Sequence, residues 1–561
     1  MMYKNWKIRS PNPQLQKELS QALKIHPLIA QVLINRNVSS IQQARDFLTG
    51  DLSHLHDPFL LKDMGTAVQR IQQARKNKER ILIFGDYDVD GVTSSVLLRK
   101  TLNRLGIEVE HYIPHRLKEG YGLNHNVIEE AKAKGVSLLI CVDCGISAFE
   151  EVQALNQAGI EVIILDHHEP SHGPLPEALA IINPKRHDCS YPFKGLASVG
   201  LTLKLSQALL GKISEEALEL AALGTIADVA ELTGENRILA KEGVERINDT
   251  KNAGLKALID VARIKDKKMS ARFISFILGP RINASGRLTS GVESLNLLLS
   301  EKFDEAYLLA KNLEEVNSQR QKTQNTIINE ALALVEREVN FKDQHVIVIG
   351  HEGWHRGVLG IVAARILETY YRPTIVISFE DGIGVGSARS VDGFHLFKAL
   401  AQCSDLLENF GGHEHAAGLT IRQDNIPAFR EAMNTHAKKV MAAEHLVPAL
   451  EIDAEVKFTS LNKDLVETIE RIEPYGEGNP IPYFCSRRLT VKSPPVVLSR
   501  DTLKFWVSDG AMTISAVGFG MGKFQDMVTQ SREVDLAYSL AIDDWNKEPT
   551  LQLKLKDIKI R

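Results

Sequence analysis

Cysteine is scarce. Five in 561 residues (Cys141, Cys144, Cys189, Cys403 and Cys485) are too few and too scattered for a disulfide framework, and suit a reducing compartment. One pair is spaced as CVDC. A redox or zinc reading of it would need a second pair, or a histidine at ligand spacing. At the end of an apolar strand, it reads instead as two small residues packed beside Asp143. No run of about 18 apolar residues occurs, so no membrane-spanning helix is expected. The opening MMYKNWKIRSPNPQLQKELS lacks the apolar core of a signal peptide, and a cytoplasmic location is expected. An excess of one charge is also missing. With 67 Lys and Arg against 71 Asp and Glu the net charge is −4, so the chain as a whole is not the basic object that a nucleic-acid binder often is. A cluster of acidic metal ligands would lower that total while basic residues still lined one groove. There is no internal repeat and no low-complexity tract.

What is present is ordinary in bulk, 44% hydrophobic and 25% charged, and long enough for three or four domains. Residues 1–78 read as short helices, a lead-in to the first strand. From 79 to 265 the runs ILIF, IEVEHYI, SLLICV, EVIIL and ALAII alternate with helical patterns, the βαβα signature of a parallel sheet buried on both faces; the stretch from about 195 is mostly helical. Residues 266–340 form a connecting helical segment in which 301–338, sparsely apolar, reads as one or two long helices bridging domains. A second α/β unit follows (341–447, with HVIVIG, PTIVISF and GIGVGSAR as strands). Residues 448–561 are strand-rich with short turns, as in a small closed β-barrel.

Ligands of a parallel α/β sheet bind outside the carboxyl ends of its strands, and here the polar residues collect there. ILIFGDYDVDGVTS puts Asp86, Asp88 and Asp90 just after the first strand, Asp143 follows LLICV, and Asp166, His167 and His168 follow VIIL. Asp228, in LGTIADVAEL, follows a helical stretch in an apolar neighbourhood where a lone acid is costly unless something pairs with it. Taken singly, an acidic turn is a helix cap or solvated loop, and adjacent histidines a satisfied pair. Unrelated caps, however, need not all fall at the same end of consecutive strands. Three to five carboxylates brought together repel strongly unless divalent cations compensate them. Carboxylates with one or two imidazoles and no thiolate suit Mn²⁺ or Mg²⁺ better than structural zinc. Two such ions about 4 Å apart would activate a water and clamp the oxygens of an in-line displacement at phosphorus, which predicts metal-dependent phosphoester hydrolysis. Gly91 is expected to allow the turn into a helix starting near Thr93.

GDYDVDG, VDCG and DHH (Asp166 to His168), in that order, resemble the DHH phosphoesterase superfamily, and GGHEHAAG (Gly411 to Gly418) resembles the glycine-rich motif of its companion DHHA1 domain. Together with LGPRINASGR (Leu278 to Arg287), GSAR (Gly386 to Arg389), PYGEGNP (Pro474 to Pro480), the lead-in and an OB-like terminal barrel, the resemblance covers essentially the whole chain. It is to the branch of bacterial single-strand-specific 5′ to 3′ DNA exonucleases. The resemblance implies a parallel-sheet catalytic domain joined by a long helix to a DHHA1 domain. It implies two divalent cations, Mn²⁺ or Mg²⁺, held by Asp86, Asp88, Asp90, Asp143, His167 and Asp228, with Asp143 bridging. Smaller superfamily members carry a histidine where this chain has Phe84, and Asp86 stands in its stead. The resemblance also gives His168 to the scissile phosphate and Asp166 to orienting His167. Arg116, Arg281, Asn283, Ser387, Arg389, Gly412 and His413 would hold the strand, with Arg116, Ser387 and Arg389 capturing its 5′ end and Gly411 and Gly412 letting backbone approach a phosphate. In the barrel, Phe505 and Trp506 adjoin and so face opposite sides, which puts at least one of them in the core. A channel between two domains would admit one strand and exclude a duplex. A single-strand-binding protein and a RecQ-type helicase are implied partners, no membrane is, and a monomer is expected. The other readings are a phosphodiesterase of short oligoribonucleotides or cyclic dinucleotides, whose relatives resemble only the first two domains, and a non-catalytic replication scaffold, whose relatives have lost ligands.

Overall fold

The runs ILIF, SLLICV and EVIIL become the middle of a five-stranded, all-parallel sheet in the order Val109–Tyr112, Arg80–Gly85, Val136–Val142, Glu161–Leu165, Ala180–Ile182. Their residues are apolar throughout because helices cover both faces, and nearly every one of them is buried. The first strand in sequence lies between the second and the third. The chain therefore reverses its direction of winding between Arg80–Gly85 and Val136–Val142, the switch point at which doubly wound sheets bind ligands. The structure, a computed structural model, describes residues 4–120, 122–170, 173–543 and 549–560. Among them no helix is long and apolar enough to cross a membrane.

The chain divides into two compact units. One comprises His56–Ala230 and Glu242–Pro448. In it the parallel sheet is followed by the helices Ser198–Leu210, Glu215–Ala227, Gly234–Ile247 (which starts outside the unit) and Ala253–Val261, as the sequence predicts. The segment 301–338 is one helix, Phe303–Glu338. Its 36 residues are sparsely apolar because each half uses a narrow stripe. Ala306, Ala310 and Leu313 pack in the first half, while Ile327, Ile328, Ala331 and Val335 join Ile347, Val358 and Val362 of the second α/β element. That element is a mixed sheet in the order Leu407–Gly412, Ala416–Arg422, Ile383–Arg389, Thr374–Glu380, Ile347–Glu352, parallel only between the last two.

The other unit comprises Lys4–Leu55, Glu231–Lys241 and Ala449–Arg561. Five of its strands, Phe484–Val491, Glu533–Asp543, Thr550–Ile560, Thr513–Gly518 and Thr502–Ser508, pair in that order and close when Thr490 and Val491 meet Ser508 and Val507. This is a small closed barrel filled by Phe484, Leu489, Leu503, Phe505 and Tyr538. Phe505 is 1% exposed and Trp506 41%, so the first is core and the second faces out, as strand alternation requires. The lead-in strand Asn5–Ile8 pairs in parallel with Ala449–Ile452 of the same unit.

Candidate metal centre and anion pocket

The parallel strands and one helix end bring six of the expected residues together. Asp86 follows Arg80–Gly85, and Asp88 caps the helix Val89–Arg104, accepting from the N–H groups of Asp90 (2.9 Å) and Gly91 (3.1 Å). The helix thus starts four residues before Thr93. The reason lies in Gly91, which makes no turn. A Cβ there would stand 2.4 Å from the Asp86 carbonyl oxygen, so only glycine lets the first helical turn fold back against the strand end and draw Asp86, Asp88 and Asp90 into one cluster. Asp90 is wholly buried, and its two oxygens accept from the N–H groups of Ser198 and Val199, each at 2.8 Å, at the N-terminus of the helix Ser198–Leu210. Asp143 ends Val136–Val142 with φ +65°, a left-handed conformation that aspartate tolerates better than most residues. Asp228 caps the C-terminus of Glu215–Ala227. His167 Nε2 faces three carboxylates from three elements: Asp143 at 3.4 Å, Asp228 at 3.8 Å and Asp90 at 4.0 Å.

Donor atoms within 4.8 Å of one another form the sets Asp86, Asp88, Asp143 and Asp90, His167, Asp228, with Asp143, His167 and His168 as a third. Asp143 and His167 join the sets into one centre. Burial raises the carboxyls of Asp86 and Asp143 well above the usual range, and the neighbouring acids raise them further. For the same reasons Asp90 is pushed up to about 7 and Asp228 to about 8. Burial and the neighbouring His168 push His167 down to about 3, so its imidazole is neutral, the form that ligates. Asp86 Oδ1 and His167 Nε2 are buried without a hydrogen-bond partner. Mutually repelling carboxylates, a neutral imidazole and two unsatisfied inward atoms fit hard divalent cations such as Mn²⁺ or Mg²⁺. Phe84 is wholly buried and stacks on Tyr112 at 5.5 Å, so it offers the centre nothing, and Asp86 completes the first set.

Asp166 differs from expectation. Its Oδ1 accepts from His168 Nδ1 (2.7 Å) and N (3.1 Å), and its Oδ2 from Ile146 N (3.0 Å), so it holds His168 and not His167. Burial alone would lower the His168 imidazole, but the Asp166 carboxylate lifts it to about 9. His168 is therefore a cation with Nδ1 engaged, which sets it apart from the neutral His167 beside it.

Beyond the acids stands a group of arginines. The Arg116 guanidinium lies 5.0 Å from the Tyr87 ring centroid, and its charge acts on Asp86, Arg287 and Arg389. Arg389 Nη1 donates to Ser387 Oγ (3.2 Å) and to the Ala388 carbonyl (2.7 Å). Burial and the charges of Arg116, Arg320 and Arg389 push Arg287 down to about 10, the mark of guanidinium groups crowded together out of water. Arg287 and Arg320 are not in the expected set. Arg287 closes the motif LGPRINASGR, whereas Arg320 is 7% exposed in the long helix with its Nη1 and Nη2 on Gln324 and Asn317. The sequence around it, EEVNSQRQKTQNT, is polar at nearly every position and gives no signal that singles Arg320 out. Two expected residues are engaged elsewhere. Arg281 pairs with Glu314 (2.5 Å) and donates to the Ile277 carbonyl, while the Asn283 side-chain oxygen accepts from Val89 N at 3.1 Å and so braces the acidic turn.

The glycine-rich hairpin divides its glycines between two duties. Gly412 has φ +139° and faces the core-side row; a Cβ on it would stand 2.5 Å from the Ala416 oxygen and the Ala417 Cα. Gly411 and Gly418 pair with each other, and Gly418 pairs with Ser387, in a row on the opposite face. Both are exposed, with no atom within 4 Å of a Cβ at Gly411 and only the Gly386 oxygen, at 3.9 Å, near one at Gly418. His413 is exposed at the hairpin tip.

Residues 80–225 match the DHH family N-terminal domain, 343–439 the DHHA1 domain and 452–557 the RecJ OB domain. The chain is 38% identical to the single-stranded-DNA-specific exonuclease RecJ of Bacillus subtilis (strain 168), covering 99% of this chain and 71% of that protein. It is 32% identical to the exonuclease of the same name from Escherichia coli (strain K12), covering 95% and 96%. The crystal structure of RecJ from Thermus thermophilus in complex with Mn²⁺ matches 99% of this chain and 80% of that one at TM-score 0.85 and 29% identity.

Proposed function

The chain belongs to the RecJ family of single-stranded-DNA-specific exonucleases, and from that premise we propose that it shortens single-stranded DNA from the 5′ end, releasing 5′-mononucleotides in recombination and repair. The observation that carries this reading is the pair of donor sets Asp86, Asp88, Asp143 and Asp90, His167, Asp228, joined through Asp143 and His167, with the arginine group beside them. Asp86, Asp88 and Asp143 would hold one divalent cation, and Asp90, His167, Asp228 and Asp143 the other. When bound, Mn²⁺ or Mg²⁺ ions in such a pair supply water activation and charge stabilisation for in-line displacement at phosphorus.

The protein's own groups do the rest. His168, charged and held by Asp166, donates to a non-bridging oxygen of the scissile phosphate as negative charge grows on it. Arg116, Arg287 and Arg389, with the Ser387 hydroxyl, bind the terminal 5′-phosphate and so set the distance from the strand's end to the bond cut. Gly411 and Gly418 leave a bare lane next to Ser387 along which sugar-phosphate backbone lies. A channel between the two α/β elements would admit one strand and exclude a duplex. A non-catalytic scaffold would have no use for a complete ligand set. Such an enzyme works in the cytoplasm, where a helicase of RecQ type and a single-strand-binding protein would supply and present its substrate.

Strands labelled at one end test the reading. With Mn²⁺ or Mg²⁺, a 5′ label should be released at once as mononucleotide while a 3′ label stays on a progressively shorter strand. Release from the 3′ end first, or equal attack on blunt duplex, would overturn the polarity or the strand specificity.

A further inference from the structure

The segment RIKDKKMSARFISF (263–276) takes no part in the centre described above. It carries five cations, Arg263, Lys265, Lys267, Lys268 and Arg272, against one acid, Asp266, and all five are exposed. Its backbone is anchored: Met269 is buried, and its N–H donates to Asn248 Oδ1 at 2.7 Å. Lys265 leans towards Asp260 at 3.6 Å, and the Lys267 ammonium lies 5.8 Å from the Phe273 ring centroid. The chain then forms a π-helix, Ile274–Leu278, a widened turn that recurs at functional sites. Phe276 protrudes from it, 75% exposed, more than any other large apolar side chain among the described residues.

This ribbon leads to the metal centre. The helix Gly279–Leu288 continues from the π turn, and a Cβ on Gly279 would stand 3.3 Å from the Ala227 Cβ. Ala227 immediately precedes Asp228. Val229, next in the chain, is 63% exposed at φ +62°, a conformation that β-branched residues avoid. A basic strip thus ends in the exposed Phe276, three residues before a glycine that packs against the neighbour of a candidate metal ligand.

We infer that this ribbon is the track by which single-stranded DNA reaches the centre, its cations on successive phosphates and Phe276 stacked on a base further 3′ than the nucleotide next to the bond being cut. The inference rests on the proposed function and names the part of the substrate that this surface takes. Charge complementarity and continuity with Asp228 select the occupant. A polyanion with unstacked aromatic faces satisfies both the cations and the ring, whereas a duplex keeps its base faces covered.

Steady-state kinetics of the full-length protein on two substrates test it: a 5′-phosphorylated 20-mer, and a 5′-phosphorylated dinucleotide, which has only one nucleotide 3′ of its single bond and so none to lay along the ribbon. Phe276→Ala should raise KM on the 20-mer between about 5-fold and about 150-fold, the value of one base stacked on an aromatic ring, with kcat and dinucleotide turnover unchanged. Phe276→Trp should restore KM and Phe276→Leu should not, because stacking needs a flat ring. Reversing Lys267, Lys268 and Arg272 to Glu should flatten the slope of log affinity against log salt by about 2, since each phosphate contact in a single strand contributes roughly 0.7. Circular dichroism of each variant checks folding. An unchanged KM on the 20-mer, an equal loss on both substrates, or a wild-type Phe276→Leu would each overturn the track. Wild-type protein that cuts neither substrate would instead sink the function on which the track rests.

Discussion

Replacing Gly418 by alanine separates a glycine kept for the fold from one kept for the substrate. A Cβ at Gly418 meets nothing closer than the Gly386 oxygen at 3.9 Å, an ordinary contact, and the residue sits in the middle of the strand Ala416–Arg422. Glycine inside a strand costs roughly 0.5–1 kcal/mol relative to alanine, so the substitution should leave stability equal or slightly higher, raising Tm by about 1–3 °C. Activity should move the other way. The added methyl would project into the lane formed with Gly411 and Ser387 and lift the substrate backbone by about 1 Å, a misplacement that costs roughly 100-fold in rate. Gly412→Ala is the internal control. Its Cβ would stand 2.5 Å from backbone atoms at φ +139°, so stability should fall by about 1–3 kcal/mol. Thermal melting and kcat/KM on a 5′-labelled single strand, for all three proteins, read both quantities. A fully active Gly418→Ala would refute the bare lane, and a Gly412→Ala as stable as wild type would refute the packing argument.

Asp143→Ala should abolish Mn²⁺-dependent hydrolysis while leaving a folded protein, since it removes the one carboxylate common to two donor sets; calorimetry should find metal binding lost or reduced to one ion, and retained activity would count against the shared ligand. Asp166→Asn should lower kcat by about 10- to 100-fold with little change in KM, because it leaves His168 present but neither charged nor oriented; a fall confined to KM would argue against that role. Gly91→Ala should weaken Mn²⁺ binding as well as lower Tm, as the new methyl pushes against the Asp86 carbonyl and opens the acidic cluster; a calorimetric Mn²⁺ affinity equal to wild type would argue against that contact. Metal-free protein should lose stability with rising pH. Asp90 and Asp228 are raised in the folded chain to about 7 and about 8 from 3.8, so the stability they contribute is whole below pH 4 and is lost as pH climbs through those folded values. The rise in Tm on adding Mn²⁺ should therefore be larger at pH 8 than at pH 5; a gain independent of pH would contradict the electrostatic account of the centre.

Much of this protein was legible along the chain because it depends on local pattern. Continuous apolar runs alternating with helical periods are the signature of a buried parallel sheet, and parallel strands end at a common edge, so Asp86, Asp88, Asp90, Asp143 and His167 could be assigned to one place without coordinates. That 301–338 is helical and that Phe505 and Trp506 face opposite sides follow from periodicity in the same way, while the structure decided that the helix is unbroken and that Phe505 is the one in the core. Tertiary structure decided what depends on partners far away in sequence. The amides of Ser198 and Val199 hold Asp90, the helix starts at Val89 because Gly91 must touch Asp86, and Asp166 turned out to serve His168 rather than its neighbour. Arg287 and Arg320 gain meaning only once Arg116 and Arg389 stand beside them, and Gly412 and Gly418, alike in sequence, part company only when their neighbours across the sheet are known. A chain records the period of its own folding directly. It records which distant groups will meet only through the packing that brings them together.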